Sequence, residues 1–171
     1  DVDPNGHVAN MAYLEYAVDT RIAFFAANGF PPDEFLRLGF GPVVKTDIID
    51  YFRELKMLDE IWVTIENGGF SPDGSRFRVV NSIFRSSGEI AARVATIGGW
   101  LSLSKRKLIE PPEKMKDAWH TLNISEDFQE LTSSLKKKFR VHAIYSVQVK
   151  CVKKLVLTFN KLPLASASGQ V

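Results

Sequence analysis

The chain has 171 residues, of which 45% are hydrophobic and 25% are charged, and these proportions predict a single globular domain with a sizeable core. Its single cysteine, Cys151, excludes an internal disulfide and a metal cluster built from cysteines alone. No apolar run approaches the roughly 20 residues that a membrane-spanning helix needs, so we expect no membrane span.

Charge is distributed unevenly along the chain. All 20 acidic residues precede residue 131, whereas residues 131–171 contain eight basic residues and no acidic one. The composition therefore changes near Leu131. We predict a compact domain over residues 1–112, a helical extension over 113–130 and a basic tail over 131–171, for which disorder and a non-native sequence are both open.

The most informative stretch is a helix predicted over residues 11–28. An acidic pair, Asp1 and Asp3, precedes it together with a Pro-Asn-Gly turn and a histidine, and Gly29 gives it a stop signal. Apolar residues surround most of its circumference, and such a helix is normally buried.

Strand and turn signals alternate after this helix. We predict a short helix or turn over 31–38, strands over 43–51, 60–66, 76–85 and 90–103, turns at 67–69, 71–74 and 86–89, and a terminal helix over 115–130. One long helix followed by about four antiparallel strands predicts an α+β fold in which the sheet wraps around the helix.

Several motifs lie in and after the segment that starts the helix: Asp3-Pro-Asn-Gly-His-Val-Ala-Asn10, Tyr13-Leu-Glu-Tyr16 with Arg21, Gly41-Pro-Val-Val44, Tyr51 and Asp59-Glu-Ile. Together they resemble the hot-dog-fold thioesterases, and more narrowly the 4-hydroxybenzoyl-CoA thioesterase-like acyl-CoA thioester hydrolases. That family has the pattern Asp-x-Asp-x-x-Gly-His-Val-Asn-Asn before its helix, and this chain departs from it at Ala9. The resemblance covers residues 1–112 and implies a hot-dog fold, whose first strand would lie upstream of Asp1.

The residue types at the start of the helix suit thioester hydrolysis. A thioester carbonyl needs a nucleophile or an activated water, together with donors where negative charge develops on oxygen. The first N–H groups of a helix are unpaired, and its dipole favours negative charge. The resemblance implies that Asp3 attacks the carbonyl or activates water, and that Asn10 donates its backbone N–H to the thioester oxygen. From the residues alone, Asp3 could instead form an Asx turn, and Asn10 could cap the helix through its side chain.

Further residues are candidates for the same site. His7 could shuttle a proton because histidine is the side chain whose unperturbed pKa lies near 7, whereas in the resembled family this residue orients the loop. Gly6 suits a turn that needs positive φ. Tyr13 could be a core or interface aromatic, part of the acyl site, or both. Val18 favours a non-phenolic acyl group, since hydroxybenzoyl-specific members of the family carry an acid near this position.

Coenzyme A carries phosphates, so a basic cluster is expected at the mouth of the site. The candidates are Lys105 and Arg106 at the end of the last strand, with Arg85 and Ser86 at the preceding hairpin, and an ordinary solvated charge run is the alternative. The sequence has no phosphate-binding loop, dinucleotide motif or zinc-ligand spacing. We therefore expect no metal and no cofactor, since coenzyme A is part of the substrate.

The sequence thus predicts an acyl-CoA thioesterase that hydrolyses a fatty or other non-phenolic acyl-CoA to the free acid and CoA. Two alternatives stay open, a non-catalytic acyl-CoA-binding protein and a hot-dog hydroxyacyl thioester dehydratase. The resemblance implies a homodimer or homotetramer with sites between subunits, and we expect no nucleic-acid partner. A cytoplasmic location is the default expectation, and organelle targeting stays open because the sequence begins without methionine.

Overall fold

The computed structural model describes residue 3 and residues 6–135. The elements of that part, in chain order, are α1 (Asn10–Ala27), α2 (Pro32–Leu38), β1 (Phe40–Tyr51), β2 (Ile61–Val63), β3 (Glu66–Phe70), β4 (Arg76–Arg85), β5 (Ile90–Ser102), α3 (Glu113–His120) and β6 (Ile124–Glu130). Both predicted N-terminal helices are present. None of the described helices is long and apolar enough to cross a membrane. Residues 136–171, most of the predicted basic tail, lie outside the described residues.

The six described strands form one sheet. Its order is β1-β5-β4-β3-β6, and β2 pairs separately with β4. The pairs of β1 with β5, β5 with β4, and β4 with β2 and β3 are antiparallel, whereas β3 and β6 are parallel. A mixed sheet of six strands beside one long helix confirms the predicted α+β hot-dog fold and adds a parallel pair that the sequence did not predict.

One stripe of α1 packs against the sheet. Its members recur every fourth residue, which places them on one face of the helix: Tyr13, Ala17, Arg21 and Phe25. Tyr13 and Ala17 belong to one apolar cluster, and Phe25 belongs to a second, aromatic cluster. Buried Arg21 belongs to neither, and its Nε donates to Asn81 Oδ1 at 2.8 Å. A polar contact therefore joins the helix to the sheet as well as the two apolar clusters.

The expectation that α1 is buried all round is wrong for one face. Met11, Val18 and Ile22 are exposed, Met11 to 77%. They are seven and four residues apart, so they share one side of the helix. β1 lies at an edge of the described sheet, and its Val44 and Ile48 are exposed too. Exposed apolar side chains and an edge strand are features of surfaces that another chain covers.

The predicted terminal helix over 115–130 is wrong in its second half. The helix is Glu113–His120, and residues 124–130 form β6, which pairs with β3. Asp127 explains the strand, because its carboxylate lies 2.6 Å from Arg78 on β4 and 2.6 Å from Arg93 on β5. The hydrogen bond from Arg78 is the largest influence that holds the pKa of Asp127 well below its usual range. These ion pairs hold the strand against the sheet.

The turn predicted at residues 67–69 is instead part of β3, and the predicted strand over 60–66 is split between β2 and β3. Gly68 and Gly69 are needed in β3 because this strand lies between Arg78 and Asp127. A Cβ on Gly68 would lie 2.7 Å from Arg78 Nη1, and a Cβ on Gly69 would collide with the carbonyl oxygen of Gln129. The Gly-Gly pair therefore allows close approach of strands and does not reverse the chain.

Candidate active site

Asp3 and His7 close a tight loop immediately before α1. The Asp3 N–H donates to the His7 carbonyl at 2.8 Å, and the Gly6 N–H donates to the Asp3 carbonyl at 3.0 Å. The His7 N–H donates to Asp3 Oδ1 at 3.0 Å. Gly6 has φ +82°, a value that glycine adopts without the cost that other residues pay, as predicted. The local turn proposed as the alternative role of Asp3 is thus present, and it holds the carboxylate against the His7 N–H in the loop before α1.

The start of α1 has no side-chain cap. Ala9 occupies the N-cap position, and Asn10 is the first helical residue, with an exposed side chain. Of the two compatible roles considered for Asn10, the side-chain cap is therefore absent, and the backbone donor stays a prediction. Because a methyl group at the cap position offers no oxygen, the first-turn N–H groups receive no hydrogen bond from the residue that normally supplies one. No acidic residue occupies this first turn either, so the positive end of an 18-residue helix is not neutralised from within it.

His7 joins the Asp3 loop to the segment that follows β1. Its Nε2 lies 3.1 Å from Glu54 Oε2, and its backbone forms an isolated bridge with Lys56. The imidazole thus contacts the segment that follows β1, and the backbone N–H of His7 binds the Asp3 carboxylate. This placement suits a residue that orients the loop better than one that shuttles a proton.

Leu55 connects the segment after β1 to the helix start. The Val8 N–H donates to the Leu55 carbonyl at 2.8 Å, and the Leu55 N–H donates to the Tyr13 hydroxyl at 3.1 Å. Leu55 is fully buried, and Tyr13 is 3% exposed with its ring edge-on to Tyr51. Burial raises the pKa of Tyr13, so the hydroxyl keeps its proton at neutral pH. Of the two readings of Tyr13, the structure favours the core aromatic.

A cleft of about 280 Å³ opens between the start of α1 and the segment after β1. We call it the helix-end cleft. Its lining residues are apolar or aromatic except for two, and they are Val8, Tyr16, Leu55, Lys56, Met57, Leu58, Asp59 and Ile61. Val8 precedes the first helical residue by only two positions. The cleft is therefore continuous in sequence with the loop that carries Asp3 and with the uncapped helix start.

The family match agrees with this geometry. A family model described as the thioesterase-like superfamily matches residues 1–119, well over half of the chain. The chain belongs to the thioesterase-like superfamily. The predicted resemblance and the predicted enzyme class, a thioester hydrolase, are confirmed. No curated protein matches the chain.

Solved structures share the fold of this thioesterase at low sequence identity. A hypothetical protein from Staphylococcus aureus in complex with CoA is 16% identical, with a TM-score of 0.65 over 83% of this chain and 87% of that chain. A 1,4-dihydroxy-2-naphthoyl-CoA thioesterase from Synechocystis is 20% identical, with a TM-score of 0.64 over 70% and 88%. A thioesterase from Thermus thermophilus complexed with coenzyme A and zinc is 28% identical, with a TM-score of 0.59 over 71% and 84%.

The predicted basic cluster of the thioesterase is divided between two ends of the sheet. Arg85 and Ser86 lie at the hairpin before β5, where Arg85 Nη1 is 3.8 Å from Glu89 Oε2. Lys105 and Arg106 are exposed beyond the other end of β5. A strand of 13 residues spans roughly 40 Å at about 3.3 Å per residue, so one chain does not bring these pairs together.

Two further predictions concern Val18 and the metal content of the site. Val18 is 38% exposed on the outer side of α1 and does not line the helix-end cleft. Within residues 6–135 and residue 3, no group of three or more histidine, cysteine, aspartate or glutamate side chains is placed to hold a metal ion.

Sequence reasoning missed Leu55, Glu54 and the cleft residues Met57 and Leu58. One signal pointed to Leu55, because it is an isolated apolar residue between charged neighbours in a predicted bend. Such a residue in a polar segment often packs into a core. No comparable signal marked Glu54, since its contact with His7 depends on how two distant segments meet.

We predict that Tyr13→Phe lowers the free energy of unfolding by about 1–3 kcal/mol, because it leaves the buried Leu55 N–H without its acceptor. Urea denaturation measures this change. Tyr51→Phe is the matched control, since it removes only an exposed 3.3 Å hydrogen bond to the Asn10 carbonyl, and we expect a change within about 0.5 kcal/mol. Equal effects of the two substitutions would contradict the role assigned to the Tyr13 hydroxyl.

Proposed function

We propose that this thioesterase hydrolyses an aliphatic or other non-phenolic acyl-CoA to the free acid and CoA. The observation that carries the proposal is the Asp3 carboxylate, which accepts the His7 N–H in the loop that leads into the uncapped start of α1. Coenzyme A is bound in the related structures from Staphylococcus aureus and Thermus thermophilus, and this supports a CoA thioester as the substrate.

In the proposed reaction, the thioester carbonyl oxygen accepts the backbone N–H of Asn10. As the carbonyl carbon becomes tetrahedral, negative charge develops on that oxygen, and the N–H group and the helix dipole stabilise it. The methyl side chain of Ala9 has no oxygen that could accept these N–H groups. A cap side chain with an oxygen would compete with the thioester for the same first-turn donors.

Asp3 supplies the carboxylate of the proposed reaction. It either attacks the carbonyl carbon, giving an anhydride that water then hydrolyses, or takes a proton from the water that attacks. In both routes the C–S bond breaks, CoA leaves as a thiolate that gains a proton, and the acid is released. The hydrogen bond from the His7 N–H fixes the orientation of the carboxylate in either role.

The choice of a non-phenolic acyl group rests on side-chain chemistry. Val18 is an aliphatic side chain and offers no charge to a phenol. The related Synechocystis protein is a 1,4-dihydroxy-2-naphthoyl-CoA thioesterase. A substrate panel for this chain therefore needs aliphatic and phenolic acyl-CoA esters side by side.

The proposal includes a homodimer or homotetramer. The exposed stripe of Met11, Val18 and Ile22 and the edge strand β1 are the surfaces that a second copy would cover. Val18 would then reach the substrate of a site shared between subunits. We expect light scattering to give two or four times the mass of one chain, and a monomer at micromolar concentration would contradict this part of the proposal.

We predict that Asp3→Asn lowers the turnover of the preferred acyl-CoA by at least about 100-fold, because it removes the nucleophile or base. The amide oxygen can still accept the His7 N–H, so the loop and the thermal midpoint should change little. Release of free thiol, followed with a thiol-reactive dye, measures turnover, and mass spectrometry of the acyl product separates hydrolysis from dehydration.

Asp33→Asn, in the first turn of α2, is the control for loss of an acid elsewhere, and we expect nearly full activity. If Asp3→Asn and Asp33→Asn are equally active, Asp3 has no part in the mechanism. If the unaltered chain binds acyl-CoA but releases no thiol from any ester, the non-catalytic alternative is correct.

A further inference from the structure

Two large apolar side chains are exposed to solvent at the rim of the helix-end cleft. Met57 is 62% exposed and Leu58 is 93% exposed. They lie at the centre of a four-residue turn, which the Asp59 N–H closes by donating to the Lys56 carbonyl at 3.2 Å. The Lys56 N–H also donates to Asp59 Oδ2 at 2.9 Å. The turn is thus well defined, and its apolar tip projects from it.

Leu58 adopts a backbone conformation that disfavours leucine. Its φ is +68°, and within the described residues the only other non-glycine residue with positive φ is Arg106. Glycine or asparagine would adopt this conformation at lower cost. Packing does not compensate leucine here, because the side chain is almost fully exposed. The hydrogen bonds between Lys56 and Asp59 hold this conformation, and such strained residues cluster at active sites and ligand-binding positions.

The geometry points to a role for this pair in substrate selection: we propose that Met57 and Leu58 form an apolar lip that packs on the acyl chain of the bound thioester. The inference rests on the proposed function, which places the thioester carbonyl at the Asn10 N–H. Val8, two residues earlier, is a wall of the helix-end cleft and is hydrogen-bonded to Leu55 at 2.8 Å. An acyl chain that extends from that carbonyl along Val8 enters the cleft directly.

The size and lining of the cleft identify the part of the substrate. Pockets for whole drug-sized ligands begin at roughly 300 Å³. At about 280 Å³, the helix-end cleft is too small for an entire acyl-CoA but suits an acyl chain. Val8, Leu55 and Ile61 offer that chain apolar side chains, and charged Lys56 and Asp59 line the same cleft. The predicted substrate class is therefore an aliphatic acyl group that is long enough to reach the lip.

The test compares Leu58→Gly and Leu58→Asn with the unaltered chain on acetyl-, butyryl-, hexanoyl-, octanoyl- and decanoyl-CoA. Both substitutions suit positive φ, so we expect a thermal midpoint that is unchanged or higher. We expect kcat/KM to fall by about 10-fold for octanoyl-CoA, the scale of a lost apolar contact, and by less than about twofold for acetyl-CoA. Leu36→Ala is the control, because Leu36 is 71% exposed on α2 and does not line the cleft.

Dissociation constants for the same five esters, measured by calorimetry on an Asp3→Asn background, run in parallel. Losses that grow with chain length in kcat/KM or in affinity support the lip. Equal losses at every length would place the pantetheine arm of coenzyme A in the cleft, and no loss would remove Leu58 from recognition. Both results overturn the lip. Absence of turnover in the unaltered chain, with length-dependent losses in affinity, would overturn the proposed hydrolysis and leave the lip standing.

Discussion

The backbone of Leu55 is the junction on which the candidate site depends. Its carbonyl accepts the Val8 N–H and its N–H donates to the Tyr13 hydroxyl, so a residue beyond β1 is bound to both sides of the helix start. Both groups are buried, and leaving either unpaired costs about 1–3 kcal/mol. The position of the segment after β1 is therefore fixed relative to the first turn of α1, and the helix-end cleft between them has a defined shape.

The first N–H groups of α1 can bind a substrate oxygen only if the helix start is fixed in position and accessible. The hydrogen bonds to Leu55 and the buried stripe of α1 fix the helix start in position. Ala9 and the exposed Asn10 provide no side-chain cap for its first N–H groups. The Asp3 loop then brings a carboxylate to the same end of the helix. A cap side chain would compete for the N–H groups that the proposed reaction assigns to the thioester oxygen, and Ala9 offers no such cap.

Local signals predicted those parts of the fold in which neighbouring residues decide the conformation. The stop at Gly29, the turn at Gly6 and the strands β4 and β5 follow from glycine and from alternation along the chain. The predictions were wrong where contacts between residues distant in sequence determine the conformation. Gly68 and Gly69 have the composition of a turn, but they lie in a strand because Arg78 reaches across them to Asp127. The same ion pair explains why a strand follows α3.

The family motif marked Asp3, Gly6 and Asn10 as candidates, yet the sequence could not place them relative to Leu55, Met57 or Leu58, because those contacts join segments more than 40 residues apart. The most direct test of the account is the amide resonance of Asn10 when the chain binds a 2-oxoalkyl-CoA, which carries a carbonyl but no hydrolysable thioester. We predict a downfield shift that the corresponding alkyl-CoA, without the carbonyl, does not produce. Saturable binding of both analogues with no difference at Asn10 would show that the helix start does not receive the thioester oxygen.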